Sequence, residues 1–177
     1  MGPSDANGKD KPMDRRESST KASIRHQLSA GRWALLAMAG LTVINQLMLL
    51  WGAEYHFWLA AAVPYYVNWF WVKLELSGIW PVALVLLSLA LDGFFFVCWA
   101  LSRRRRIFLT AALAGYALDT LLLVIFAFTL LRNPASCILE IGCHLAVVYL
   151  LMTAEQASGA LQRMRQRRPR LKERECV

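Results

Sequence analysis

The sequence predicts an all-α polytopic membrane protein, a four-helix transmembrane bundle with an extra outer interfacial helix or re-entrant segment. Three observations lead to this fold class. Hydrophobic residues make up 57% of the 177 residues, more than the roughly 45–50% that is usual in soluble domains. They are concentrated in blocks of about 20 residues, the length that a helix needs to cross a bilayer. The basic residues lie almost entirely between these blocks.

Four apolar blocks are the predicted membrane spans, and they cover residues 33–51, 79–101, 107–131 and 136–152. None of them alternates between polar and apolar residues, as the strands of a membrane β-barrel do. The blocks therefore define a four-span membrane domain over residues 33–152. We expect residues 1–32 to form a disordered basic cytoplasmic tail. Residues 153–177 form a second basic cytoplasmic tail, which can continue the fourth span as a helix.

The basic residues also predict the orientation of the chain. Of the 20 Lys and Arg residues, 18 lie in the two tails or in the loop between the second and third spans. Because Lys and Arg are enriched on the cytoplasmic side, we expect both termini in the cytoplasm and a multi-pass protein of the inner (plasma) membrane. The loop itself reads Arg103, Arg104, Arg105 and Arg106. We assign it to topology or to anionic lipid headgroups of the bilayer, and we expect no nucleic-acid partner.

A further apolar stretch, at about residues 53–76, is not predicted to cross the membrane. A fifth crossing there would place the four-arginine loop outside and the two basic tails on opposite sides. The stretch also contains Pro64 and Asn68, and its many Tyr and Trp residues are typical of the membrane–water interface. We expect either an interfacial helix or a re-entrant segment on the outer side, and the sequence leaves these alternatives open.

Polar side chains inside the spans are the candidate functional residues. A helix rises about 1.5 Å per residue. Counted from the ends of the predicted spans, one group of these residues falls within a few Å of the middle of the membrane. This midplane cluster consists of Asn45, Asp92, Asp119 and His144, with Gln46, Ser88 and Glu140 as secondary members. Ionisable groups are expensive at this depth and often functional, so we expect Asp92, Asp119 and His144 to form one hydrogen-bonded cluster. Alternatively, these polar residues only hold the helices together.

Three short stretches carry a resemblance to other proteins: Ala62–Tyr66, Ala117–Leu122 and Cys143–Leu150. On these residues the chain resembles a loosely defined group of small uncharacterised four-span bacterial membrane proteins. The resemblance implies a bacterial inner membrane. It implies no particular chemistry, because no activity is attached to the group.

The functional expectation is a non-enzymatic integral membrane protein with a protonatable polar site at mid-membrane. It moves protons or a small solute, or it is a subunit of a larger membrane complex. Because four spans enclose little volume, transport favours a homodimer or a membrane partner protein. The alternative is an intramembrane metal-dependent enzyme that uses Asp, Glu and His ligands. The sequence has no His-Glu-x-x-His pair and no nucleotide-binding motif, so we expect no cofactor, and metal binding stays an open question.

Overall fold

The structure, a computed structural model, describes residues 12–52, 57–75, 77–129 and 137–175. These ranges contain five helices and no strand. The helices are α1 (Pro12–Leu50), α2 (Ala62–Lys73), α3 (Trp80–Leu101), α4 (Ile107–Thr129) and α5 (Cys137–Glu175).

Four of the helices are long and apolar enough to cross a membrane. The apolar stretches are Ser18–Leu50, Trp80–Leu101, Ile107–Thr129 and Cys137–Met164. They correspond to the four spans predicted from the sequence, so the prediction of an all-helical chain with four long apolar helices is confirmed. The connection predicted between the third and fourth spans falls in residues 130–136, outside the described residues.

Both outer helices extend well beyond the apolar blocks. Because α1 begins at Pro12, it contains most of the stretch for which the sequence suggested a disordered tail. The part of the α1 extension next to the apolar block packs against the rest of the molecule: Leu28 contacts the hydrophobic core, and Gly31 lies against Ala154 of α5. Such tertiary contacts stabilise a helix beyond its own propensity. Residues 1–11 and 176–177 lie outside the described residues.

The α1–α5 interface is the most extensive contact between two helices of the described chain. The two helices are close at Gly31, where a Cβ atom would overlap Ala154 and lie 2.8 Å from the Leu150 carbonyl oxygen. Small residues allow two helix backbones to come this close. The main core cluster combines residues of α1, α3, α4 and α5 with Ala61. Its buried members are Leu35, Met38, Ala39, Ala61, Phe95, Cys98, Leu109, Ala112, Tyr116, Val147, Leu151 and Ala154.

The chain turns back on itself after α1. Gly52 has a left-handed backbone conformation with φ of 76°, which glycine adopts without strain. Further along, the backbone of Phe57 bonds to Asn45, and the backbone of Ala61 bonds to Thr42. Because Thr42 precedes Asn45 in α1, this stretch runs antiparallel to α1.

α2 then runs in the opposite direction, parallel to α4. Its first turn bonds to Asp119, and its Phe70 ring lies 6.2 Å from the ring of Phe126, about two turns further along α4. The returning stretch and α2 therefore form a hairpin between the long helices. We call its turn, Ala60–Val63, the α2 tip. The three alanines of this tip are at most 3% exposed.

Candidate functional site

The α2 tip lies beside the middle of α4, about 18 Å from the start of that helix at Ile107. Asp119, at this position, accepts two hydrogen bonds from consecutive backbone N–H groups of α2. The Ala62 nitrogen is 2.9 Å from Oδ2, and the Val63 nitrogen is 2.8 Å from Oδ1. A helix N-terminus has unpaired N–H groups and a partial positive charge, so a carboxylate is a favourable partner there.

α2 depends on other helices for this cap. The residue before its first turn is Ala61, which has no side chain that can cap the helix. The Ala61 N–H instead donates to Thr42 Oγ1 of α1 at 2.8 Å. Three successive N–H groups of the tip are thus paired by side chains of α1 and α4. Burying them unpaired would cost about 1–3 kcal/mol each.

Asn45 holds the stretch between α1 and α2 at Phe57. It lies about one helical turn along α1 from Thr42, which bonds to the α2 tip. Its Nδ2 donates to the Phe57 carbonyl oxygen at 2.9 Å, and its Oδ1 accepts the Phe57 N–H at 2.7 Å. The Asn45 side chain therefore pairs both the N–H and the carbonyl group of Phe57, which lies outside any helix. Tyr116 makes a longer contact nearby, with its hydroxyl 3.5 Å from the Leu59 carbonyl oxygen.

His144 of α5 is the basic residue beside Asp119. Its ring is fully buried, and Nδ1 lies 3.6 Å from Asp119 Oδ2 and 3.4 Å from Thr120 Oγ1. The ring stacks on Tyr116 with centroids 5.0 Å apart. Within the described residues, Nε2 has no partner at good hydrogen-bond geometry, but the ring is close enough to the Ala60 backbone to interact with it. The Glu140 carboxyl is near enough to interact electrostatically with both Asp119 and His144.

A second polar network joins α1, α2 and α3. Gln46 Nε2 donates to Asp92 Oδ2 at 2.6 Å, and Gln46 Oε1 lies 3.3 Å from Ser88 Oγ. Asn68 of α2 donates to the same Ser88 hydroxyl at 3.0 Å. In the described part of the chain, Asp92 Oδ1 and Asn68 Oδ1 are buried without a partner. This network anchors the middle of α2, whereas Asp119 anchors its beginning.

The structure thus divides the cluster that the sequence suggested. Asp119 and His144 are neighbours, whereas Asp92 bonds to Gln46 in the second network. Asn45 bonds to the backbone of Phe57 instead of a side chain of the cluster. The polar residues of the spans therefore bind the α2 hairpin as much as they bind one another.

Sequence reasoning missed two contributors to these networks. Thr120 next to Asp119 and Asn68 within α2 have polar side chains that complete the arrangement. The position of the α2 tip did have a sequence signal: a run of three alanines followed by Val63 and Pro64. Proline is favoured in the first turn of a helix, where its missing N–H is not needed.

The arginine loop between α3 and α4 makes two different kinds of contact. Arg106 pairs with Glu155 of α5, with Nε 2.7 Å from Oε1. The Arg103 guanidinium lies over the Trp99 ring, 5.8 Å from its centroid. Arg104 and Arg105 are exposed.

The described residues contain no group of three or more His, Cys, Asp or Glu side chains placed to hold a metal ion. Comparison with protein-family models, curated proteins and solved structures finds no match for this chain.

Proposed function

We propose that the chain is a multi-pass protein of a bacterial inner membrane that moves protons or a small solute past the α2 tip. In this proposal Asp119 and His144 carry the proton. The supporting observation is that both oxygens of Asp119 hold the N-terminus of the short helix α2, and one of them lies 3.6 Å from a fully buried imidazole.

The proposal treats the α2 hairpin as a re-entrant segment. With α1, α3, α4 and α5 as the four crossings, the tip lies near the middle of the membrane. Irregular backbone is tolerated at that depth only where protein or a water-filled cavity surrounds it. The pairing of the tip with Thr42 and Asp119 satisfies this requirement. Helix ends that reach the middle of the membrane are a recurring feature of transporter binding sites.

Proton binding at Asp119 would change how the tip is held. As a carboxylate, Asp119 accepts two N–H bonds and faces the positive end of α2. A proton on either oxygen turns that oxygen into a donor, so it no longer pairs well with an N–H group. The tip is then held more weakly. His144 supplies a second proton-binding group at the same place, because its imidazole Nδ1 lies 3.6 Å from Asp119 Oδ2.

The remaining parts of the proposal concern orientation and assembly. Both termini and the Arg103–Arg106 loop lie in the cytoplasm, which matches the distribution of basic residues. Since four spans enclose little volume, the working unit is a homodimer or a complex with another membrane protein. Anionic headgroups of the bilayer contact the arginines at the inner surface.

Proton flux into proteoliposomes tests the proposal. Vesicles with a trapped pH-sensitive dye are given a pH gradient, and valinomycin with potassium compensates the charge. We expect the protein to dissipate the gradient faster than empty vesicles do. Asp119→Asn and His144→Ala should each reduce the rate at least tenfold. Asp92→Asn is the matched control, since it removes a buried carboxylate from the second network, and it should keep at least half of the rate.

Two results would reject this function. If the folded wild-type protein gives no flux with protons or with added small solutes, the site does not transport, and a role as a subunit of a larger complex takes its place. If Asp92→Asn abolishes flux as fully as Asp119→Asn does, the pathway does not pass the α2 tip. Circular dichroism of each variant shows whether it has kept its helices.

A further inference from the structure

A small basic cleft lies between α1 and the end of α3, at the end of the helix bundle that carries the loop between α3 and α4. Its volume is about 200 Å³. Three arginines line it, two from α1 and one from the loop after α3, together with two tryptophans: Arg25, Arg32, Arg103, Trp33 and Trp99. We call it the α1–α3 arginine cleft.

The positive charge of this cleft is not neutralised within the described residues. The ion pairs of the described residues are Arg106–Glu155 and Asp119–His144, and neither includes an arginine of the cleft. Arg32 and Arg103 are near enough to interact electrostatically, and like charges repel. In addition, Arg32 Nε is buried without a hydrogen-bond partner. A bound anion would relieve the repulsion and pair this orphaned donor.

The tryptophans indicate where such an anion comes from. Trp33 is 67% exposed although it follows directly on Arg32. Trp99 carries the Arg103 guanidinium on its face. Tryptophan is enriched at the level of lipid headgroups, with its ring toward the acyl chains. The cleft thus presents arginines beside apolar rings, which suits a ligand with a charged head and an apolar tail.

We propose that the α1–α3 arginine cleft binds the phosphate group of an anionic phospholipid. Guanidinium groups bind phosphate through paired N–H donors, and basic pockets between membrane helices on the cytoplasmic side bind acidic lipid headgroups. A zwitterionic lipid carries its own ammonium group and therefore gains less from three arginines. The inference uses the proposed membrane insertion, but it does not use the proton site.

Native mass spectrometry of the detergent-solubilised protein tests this inference. The probes are dioleoylphosphatidylglycerol, dioleoylphosphatidylcholine and inorganic phosphate. We expect one phosphatidylglycerol to be retained at activation energies that remove phosphatidylcholine. The double variant Arg32→Gln/Arg103→Gln should bind it about 25-fold more weakly, at about fivefold per arginine.

The matched control is Arg104→Gln/Arg105→Gln. It removes the same number of charges, both from the loop that contains Arg103, but these two residues do not line the cleft, so the affinity should change less than twofold. Equal weakening in both double variants would show diffuse attraction to the basic surface and would overturn the site. Displacement of the lipid by millimolar inorganic phosphate would overturn the assignment to a lipid.

A single variant covers the case in which the double variant does not fold. Arg25 is exposed at the cleft, so Arg25→Gln should fold normally and bind phosphatidylglycerol about fivefold more weakly. An unchanged affinity in folded Arg25→Gln would contradict the proposal. The proton-flux measurement is independent of this result, because Asp119 and His144 are unchanged in all of these variants.

Discussion

Asp119 of α4 accepts the backbone N–H of Val63 of α2 at 2.8 Å, and its other oxygen accepts the N–H of the preceding residue. The start of one helix is thus capped from the middle of another. Caps are normally local, formed by the residue just before the helix. Here that residue is Ala61, so the position of α2 depends on a tertiary contact.

The first prediction concerns this cap. Asp119→Ala leaves the N–H groups of Ala62 and Val63 unpaired and should lower the free energy of unfolding by about 2–6 kcal/mol, at about 1–3 kcal/mol for each group. Asp119→Asn keeps one acceptor and should cost less. Unfolding in mixed detergent micelles with increasing dodecyl sulfate measures both. Thr129→Ala, at the exposed end of the same helix, is the control. A cost for Asp119→Ala no larger than that of the control would contradict the capping role.

The second prediction concerns the Asp119–His144 contact. Removing one member of a buried pair leaves the other without its partner, so the double variant should cost less than the sum of the single variants. We expect a coupling of about 0.5–3 kcal/mol for Asp119→Asn with His144→Ala. The same cycle with Asp92→Asn in place of Asp119→Asn should be additive within about 0.5 kcal/mol. Coupling of equal size in both cycles would show a single shared network.

The third prediction concerns Asn45. Asn45→Ala removes both hydrogen bonds to Phe57 and should loosen the stretch that leads into the α2 tip. Amide hydrogen exchange in peptides covering residues 57–63 should become about tenfold faster, which corresponds to the loss of about 1.4 kcal/mol. Ile44→Ala, at an exposed neighbouring position, should leave this exchange unchanged. Slow exchange that persists in Asn45→Ala would mean that other contacts hold the stretch.

The fourth prediction compares two glycines of α1. Gly31→Ala places a methyl group against Ala154 and the Leu150 backbone, and it should destabilise the protein by about 1–3 kcal/mol. Gly40→Ala meets no atom within 4 Å and should stabilise α1 by up to about 1 kcal/mol, because alanine is the better helix former. Thermal unfolding in detergent compares the two. Equal shifts would show that α1 and α5 are not closely packed at Gly31.

The fifth prediction concerns orientation. Reporter fusions after Ser102 and within the C-terminal part of α5 should give cytoplasmic signals, and a fusion after Gly78 should give a periplasmic one. The physical reason is the concentration of basic residues near the first two positions. Alkaline phosphatase and fluorescent-protein fusions at the same sites provide opposite readouts. A periplasmic signal from α5 would exclude the four-crossing arrangement.

The limits of α3 and α4 were largely predictable from the sequence. The apolar runs ending near Leu101 and beginning at Ile107 are separated by four arginines, and the structure ends and begins its helices at these same residues. Run length and charge are properties of consecutive residues, so they need no knowledge of the fold. The same reasoning failed for residues 12–32, which are helical in the structure. The contacts of Leu28 with the core and of Gly31 with Ala154 depend on a distant part of the chain, which local composition does not reveal.

The sequence by itself determined four long apolar helices, a fifth apolar segment that differs from them, and polar side chains near the middle of each span. Only the tertiary structure decided what those side chains bind. Asp119 pairs with backbone N–H groups of α2, and Asp92 pairs with Gln46. Backbone groups look the same in every residue except proline, so a sequence cannot mark which N–H groups need a partner. Packing sets the rotation of each helix and the position of the α2 tip along α4. These two features decide which side chains and backbone groups form hydrogen bonds.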